Sequence, residues 1–311
     1  MAFLFKEINL NLKLKKMIKM IKMFSFLFPF SSACNVLTLS GGGAYGSFEA
    51  GVFSKLFENG SRYDIITGVS AGSLNAAYIS SIQSGEEKYH ISEFKNLWTS
   101  IKTNDILHKI YFLNGLSLYD NTPVRNKLNE IFSNITTIRD IKLGATSLID
   151  GTSRVFTKND ILEYGLVDIL MSSIAIPIVL PPYPFLNDIF VDGGLTSNIL
   201  LNEGIDYCLN KFPLENVYVD VIICGKKLGK YESMEMTLKD IVERIISIIT
   251  EQVEYSELLH PIFENNVFIR VFEQQHQDSY GLLDFDDTEI LYNEGYNFTN
   301  VNIYWLNNTK N

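Results

Sequence analysis

The sequence predicts an α/β fold, namely a three-layer α/β/α domain with a mostly parallel central sheet. Two units of the same kind open the domain: an apolar strand over residues 35–40 leads into a helix over 47–57, and a strand ending at Ile66 leads into a helix over 71–82. Glycines lie at both strand-to-helix turns. Alternating strands and helices favour a parallel sheet, because each helix packs back onto the sheet as a right-handed crossover.

The later elements extend this domain to the end of the chain. A helix over residues 124–132 begins after Asn121 or Thr122, because Pro123 suits the first turn of a helix. The other predicted elements are a hairpin over 146–149 and 154–157, strands over 189–192, 217–224 and 267–272, and helices over 237–259 and 288–293. We expect one domain over 35–311, with its motifs in 35–224 and a helical C-terminal part over 225–311.

Composition and charge exclude several classes of protein. Of the 311 residues 46% are hydrophobic, and the net charge of -10 argues against a nucleic-acid partner, which requires a clustered basic surface. The three cysteines, Cys34, Cys208 and Cys224, include no C-x-x-C and are too few for a disulfide framework, so we expect a reducing compartment. His90 and His108 lack metal-ligand spacing, and we expect no metal or cofactor.

Residues 1–34 form a separate leader with six lysines and one glutamate. Over residues 12–24 the lysines and the apolar side chains occupy different helical faces, which is typical of a helix lying on an anionic membrane surface. We therefore expect an intracellular protein that associates peripherally with membranes. The apolar run over 23–30, followed by small residues up to Cys34, leaves a secretory signal or a lipid anchor as alternatives.

The most informative motif is Gly68-Val69-Ser70-Ala71-Gly72. This G-x-S-x-G lies between a predicted strand and a predicted helix, which is the setting of a nucleophile elbow. Gly68 and Gly72 leave room for the sharp turn, and Ser70 then lies at a helix N-terminus, whose free N–H groups favour negative charge on an attacking oxygen. The motif predicts that Ser70 is a nucleophile.

A glycine loop precedes this motif and contains Gly41, Gly42, Gly43 and Gly46. It has three interpretations: a tight turn, a set of backbone N–H donors for an oxyanion, or a G-x-G-x-x-G loop that binds a dinucleotide. We favour the oxyanion interpretation, because a dinucleotide enzyme has no use for a strained serine turn after the next strand.

A carboxylate ends a later predicted strand, in the sequence Asp192-Gly193-Gly194. Two glycines behind it would let the backbone turn away so that Asp192 can point into a crowded site. An ordinary Asp-Gly turn is the structural alternative.

These three motifs, in this order, resemble those of the patatin-like phospholipase family, over about residues 35–224. The resemblance implies a lipid acyl hydrolase that acts on phospholipid or glyceride at a membrane or lipid surface without a cofactor. It implies Ser70 as the nucleophile, Asp192 as its base, and an oxyanion hole formed by the N–H groups of the loop residues Gly41, Gly42 and Gly43. The motif glycines are Gly46, Gly68, Gly72, Gly193 and Gly194. Many members carry Arg or Lys where this chain has Tyr45.

Other functions remain open from the sequence. An α/β-hydrolase with a Ser-Asp-His triad would require His260 or His276, the two histidines that follow Asp192. A catalytically inactive protein that binds lipid or nucleotide is a further alternative. The oligomeric state and the preferred head group are not predicted.

Overall fold

The computed structural model describes residues 33–110, 115–212, 216–225, 235–259, 267–274, 281–298 and 301–306. Within these residues, nine strands form one mixed sheet. The chain divides into two units, residues 1–33 and 34–311, and the sheet belongs to the second. In chain order the strands are β1 (Cys34–Leu39), β2 (Ile65–Val69), β3 (His108–Lys109), β4 (Tyr119–Asp120), β5 (Asp140–Ser147), β6 (Ser153–Thr157), β7 (Tyr183–Phe185), β8 (Asp188–Asp192), β9 (Val217–Ile223), β10 (Val267–Glu273) and β11 (Asn302–Leu306). β3 and β4 pair with each other in a separate two-stranded sheet.

The centre of the large sheet is parallel and its edges are antiparallel. The five strands β10-β9-β1-β2-β5 lie side by side in this order and run parallel. β11 pairs antiparallel with β10 at one edge, and β6 and β8 pair antiparallel with β5 near the other, where β7 follows. The predicted class is confirmed, and β6 differs from the parallel pattern because a short turn joins it to β5, too short for a crossover.

Helices cover both faces of the sheet. They are α1 (Gly46–Glu58), α2 (Ala71–Ser80), α3 (Ile91–Thr99), α4 (Thr103–Ile106), α5 (Thr122–Phe132), α6 (Lys158–Tyr164), α7 (Leu166–Ser173), α8 (Leu201–Lys211), α9 (Leu238–Leu259) and α10 (Thr288–Tyr296). Neighbouring side chains of β1 point to opposite faces: Leu37 joins the larger core with α1, α2 and α7, and Val36 joins a second core with α8. The three-layer prediction is therefore confirmed.

Most predicted elements lie within a few residues of the observed ones, and the differences concern segments with little periodicity. The sequence did not predict α8, and it predicted only the end of β5, because the polar start of that strand hid its pairing with β2. Besides its helices, the C-terminal part contributes two strands to the sheet: β10, which the sequence predicts over 267–272, and β11, which it does not predict.

A disulfide joins Cys34 at the start of β1 to Cys208 on α8, at a sequence separation of 174. The cysteines are too few for a disulfide framework, and the sequence did not predict this single bond, because packing of α8 across β1 brings two distant residues together. The bond also occupies the sulfur that a lipid anchor at Cys34 would need. Cys224 is a free thiol, and it is buried. Disulfides persist mainly in oxidising compartments, which argues against the expected reducing one.

No helix in the described part of the chain is long and apolar enough to cross a membrane. Residues 1–32, including the predicted membrane-surface helix over 12–24, lie outside the described residues, and the interpretation of that leader stays a prediction.

Candidate active site

Ser70 occupies a strained turn between β2 and α2. Its φ of 51° and ψ of -121° lie outside the regions that non-glycine residues usually adopt. The flanking glycines explain how the chain can turn there. A Cβ atom on Gly68 would lie 2.3 Å from the carbonyl oxygen of Gly72, and a Cβ atom on Gly72 would lie 2.4 Å from that of Leu39. This is the backbone geometry that the G-x-S-x-G motif predicts.

Three hydrogen bonds hold this turn in place. The Ser70 N–H donates to Oγ of Ser173 at 2.9 Å, and that hydroxyl donates to the Gly144 carbonyl at 2.6 Å. The Ser73 hydroxyl donates to the Ser70 carbonyl at 2.5 Å. Sequence reasoning missed Ser173, which ends the helix α7 just before a loop that contains Pro177, Pro181 and Pro182. The strained backbone of Ser70 is therefore fixed from two elements, α2 and α7.

The register of the sheet brings Asp192 to Ser70. Val69, the last residue of β2, pairs with Gly144 of β5, and the next residue of β5, Ala145, pairs with Asp192 at the end of β8. Ser70 and Asp192 therefore lie at the same level of the sheet, on either side of β5. Both line one pocket.

The Asp192 carboxylate is buried and only half satisfied. Its Oδ1 accepts a hydrogen bond from the Gly194 N–H at 2.9 Å, and its buried Oδ2 has no donor within hydrogen-bond geometry. Burial raises the pKa of Asp192 from 3.8 to about 6, while the Ser70 hydroxyl and the Gly194 N–H partly offset this increase. The Ser70 hydroxyl therefore lies close enough to the carboxylate to affect its pKa, although Oδ2 accepts no hydrogen bond of regular geometry.

The glycine loop leaves two N–H groups without an acceptor among the residues that the structure describes, those of Gly42 and Gly43. The N–H of Gly41, by contrast, donates to the backbone and side-chain oxygens of Asn198, at 3.3 and 3.2 Å. Gly41 therefore differs from the expectation that all three amides are available to an oxyanion. Because φ of Gly43 is 56° and a Cβ atom there would lie 2.2 Å from the Leu282 carbonyl oxygen, only glycine fits at this position.

Asn198 connects this loop to α9, and no pattern in the sequence singles it out beyond its position after Asp192-Gly193-Gly194. Its Nδ2 donates to the Gly41 carbonyl at 3.3 Å and also to Oε1 of Glu254 on α9. Glu257 accepts hydrogen bonds from the N–H groups of Asn198 and Ile199, at 2.8 and 3.1 Å. Burial raises the pKa of Glu254 to about 8, with the Asn198 hydrogen bond opposing that increase.

Two pockets meet at Ser70, Gly43 and Ile176. The first contains the catalytic candidates and polar side chains of α9. The second has almost exclusively apolar walls. Its lining side chains include Leu74, Trp98, Ile106, Val124, Leu128, Phe132 and Leu180. An apolar cavity that ends at Ser70 has room and walls that suit a hydrocarbon chain.

The histidines give no support to a triad within the described residues. His260 and His276, the candidates for a Ser-Asp-His arrangement, lie outside the described residues. His90 and His108 line neither pocket; His90 caps α3 near Glu93, and Nε2 of His108 lies 2.9 Å from the Asn104 carbonyl. Over the same described ranges, no group of three His, Cys, Asp or Glu side chains could hold a metal ion.

Comparisons with known proteins identify the family. The model of the patatin-like phospholipase family matches residues 37–205, more than half of the 311-residue chain. The uncharacterized protein R571 of Acanthamoeba polyphaga mimivirus is 22% identical over 248 residues, which cover 68% of this chain and 82% of that protein. The crystal structure of VipD from Legionella pneumophila superposes with a TM-score of 0.48 and 12% identity, covering 86% of this chain and 66% of VipD. The chain belongs to the patatin-like phospholipase family.

Proposed function

We propose that this chain is a carboxylic ester hydrolase that releases acyl chains from phospholipid or glyceride, with Ser70 as nucleophile and Asp192 as its base. The observation that carries the proposal is the meeting of four features at Ser70. These are the strained elbow, the buried carboxylate with one unpaired oxygen, the two free loop amides, and the apolar pocket. Each feature has a separate part in acyl transfer.

The first half of the reaction forms an acyl-enzyme. The Ser70 oxygen attacks the ester carbonyl carbon while its proton passes to Asp192, which gives a tetrahedral intermediate with a negative oxygen. The N–H groups of Gly42 and Gly43 are the proposed donors to that oxygen. Losing one such donor commonly costs ~3 to 4 kcal/mol of transition-state stabilisation. The intermediate then collapses, the bond to the alcohol breaks, and Asp192 returns the proton to the leaving alcohol.

The second half of the reaction repeats these steps with water. Asp192 takes a proton from a water molecule that attacks the acyl-enzyme, and the Ser70 oxygen leaves with that proton as the fatty acid is released. The raised pKa of Asp192, about 6, makes it a stronger base than an exposed aspartate, yet it remains mostly ionised at pH 7. This supports a dyad in which Asp192 acts on Ser70 directly.

The proposed place of action is the surface of a membrane or lipid particle, where the protein is peripheral. Phospholipase A-type cleavage and lipase activity both remain compatible with the apolar pocket. The Cys34–Cys208 disulfide favours an oxidising compartment. Among the alternatives that residues 1–34 leave open, it therefore supports secretion over an intracellular location.

The test is covalent labelling combined with product analysis. Fluorophosphonate labelling, mapped by mass spectrometry, should modify Ser70 and be absent in Ser70→Ala, while the control Ser92→Ala, at an exposed serine of α3, should label as wild type. Fatty-acid release from mixed phospholipid and glyceride vesicles should be lost in Ser70→Ala and Asp192→Asn. If the folded wild type neither labels nor releases fatty acid, a non-catalytic lipid- or nucleotide-binding role replaces this proposal.

A further inference from the structure

The helix α9 exposes several isoleucines on its outer side, while its inner side carries both apolar side chains and carboxylates. Ile241, Ile245 and Ile248 are 41%, 47% and 43% exposed, and Val242 is the one buried residue of the helix. On the inner side, Glu254 and Glu257 contact Asn198 and its neighbours. A surface helix of a globular protein normally has one apolar stripe, which faces the core, and Val242 and Ile246 provide such contacts here. The exposed isoleucines form a second stripe that faces outward. The outward stripe therefore calls for a partner outside the domain.

This stripe lies on the outer side of the wall of the active-site pocket. Residues 241, 245 and 248 follow the i, i+4, i+7 spacing of one helical face, and Ile249 beside them is 36% exposed. Other residues of the same two turns, namely Ile246, Ser247 and Thr250, line the pocket that holds Ser70. Any surface that covers the stripe will therefore lie against the wall of the pocket.

A second segment at the same pocket also exposes an apolar side chain. Ile178 is 52% exposed and has a φ of 70°, a left-handed conformation that is strained for a β-branched residue. Its chain neighbours Ile176 and Pro177 line the pocket, and its carbonyl accepts a hydrogen bond from the Leu118 N–H at 2.7 Å. Strained residues of this kind persist mainly at functional sites, where the surrounding structure fixes them.

We propose that the apolar rim, defined as Ile178, Ile241, Ile245, Ile248 and Ile249, docks the protein on a lipid surface and presents the pocket to it. The inference rests on the proposed function, because a lipid ester must pass from that surface into the pocket. Two separate segments at one pocket both expose isoleucines, which fits a continuous lipid layer. All five side chains are uncharged, so docking works by insertion at the boundary between head groups and acyl chains.

Uncharged docking distinguishes the rim from the lysine-rich leader. Binding through the rim needs no anionic lipid and persists in salt, whereas binding through lysines needs anionic lipid and is screened. Vesicles of pure phosphatidylcholine in about 0.5 M salt therefore isolate the contribution of the rim.

The experiment compares two double variants of the full-length chain on these vesicles by co-sedimentation. Ile245→Ser with Ile248→Ser removes two rim side chains, and Ile149→Ser with Leu162→Ser removes two side chains that are 66% and 64% exposed and line neither pocket. We expect the rim variant to bind roughly 10-fold more weakly, and the control within about two-fold of wild type. Equal binding of the two double variants would overturn the proposal.

Two further measurements separate this inference from the proposed function. We compare the activity of the rim variant, relative to wild type, on two substrates. This relative activity should be at least ten times higher with a water-soluble short-chain ester than with vesicles. If the wild type hydrolyses no ester, the proposed function fails, while vesicle binding by the two double variants still tests the rim. Light scattering measures whether the wild type is a dimer. A dimer that the Ile245→Ser and Ile248→Ser changes dissociate would contradict the proposal, because the rim would then join two copies of the chain.

Discussion

The buried carboxylate of Asp192 should lower the stability of the protein at the pH where the proposed enzyme works. Its pKa is raised from 3.8 to about 6, so the folded protein binds this proton more tightly than the unfolded chain does. The contribution of Asp192 to stability is thus fully present below pH 3.8 and is lost as the pH rises through 6. The whole change is about 3 kcal/mol, and roughly 1.4 kcal/mol of it falls between pH 5 and 8.

Asp192→Asn removes this titration. Urea unfolding at pH 5 and pH 8 should show that wild type loses about 1.4 kcal/mol more stability than the variant over this interval. Only the change in stability between the two pH values is compared. The cost of placing an amide beside Gly194 is the same at both pH values, and the titration of all other groups is the same in both proteins, so neither contributes to the difference. For wild type, kcat/KM should rise with pH to a plateau with a midpoint near 6, because the base must be ionised, and Asp192→Asn should have no activity.

The control for this prediction is Asp206→Asn, which changes an exposed aspartate on α8. It should follow the wild type at both pH values and keep its activity. If wild type and Asp192→Asn lost equal stability between pH 5 and pH 8, Asp192 would not be a desolvated carboxylate, and the argument for its strength as a base would fail. An inactive variant with an unchanged pH slope would assign Asp192 a role other than that of a buried base.

Three further predictions test the loop, its glycine and the disulfide. Asn198→Ala should lower kcat by about 10 to 100-fold with little change in KM, because the amide of Asn198 fixes Gly41 and the loop beside it. A stopped assay on a soluble ester measures both constants, and a change in KM alone would contradict the prediction. Gly43→Ala should unfold or inactivate the protein. Gly60→Ala, also at positive φ but with free space around it, should lower the free energy of unfolding by only about 1 kcal/mol, as measured by thermal unfolding. Equal effects of the two changes would refute the packing argument. Replacing Cys34 and Cys208 by serine should lower stability by about 5 kcal/mol, given the 174-residue separation; unchanged urea unfolding would show that the bond does not constrain the chain.

The sequence predicts the parts of the site that short-range backbone geometry determines. Gly68 and Gly72 are required by the turn at Ser70, and their spacing is visible in the sequence before any fold is known. The same is true of the central strands, whose apolar runs between helices follow from burial on both faces. The antiparallel edge and the Cys34–Cys208 bond depend on which segments meet in space, and no local pattern encodes that.

Asn198 and Glu254 show most clearly why the rest could not be predicted. In the sequence, Glu254 is one of several acidic residues on an amphipathic helix, and such residues usually face solvent. In the structure Glu254 lies on the inner side of α9, where its carboxylate accepts a hydrogen bond from the side-chain amide of Asn198. That amide also donates to the Gly41 carbonyl of the glycine loop. Periodicity predicts that α9 has two different faces, but it does not decide which face meets the protein. Because α9 carries apolar side chains on its outer side as well as its inner side, the pattern of apolar residues does not single out the inner face. Only the fold shows that Glu254 and Glu257 reach Asn198 and, through it, the glycine loop.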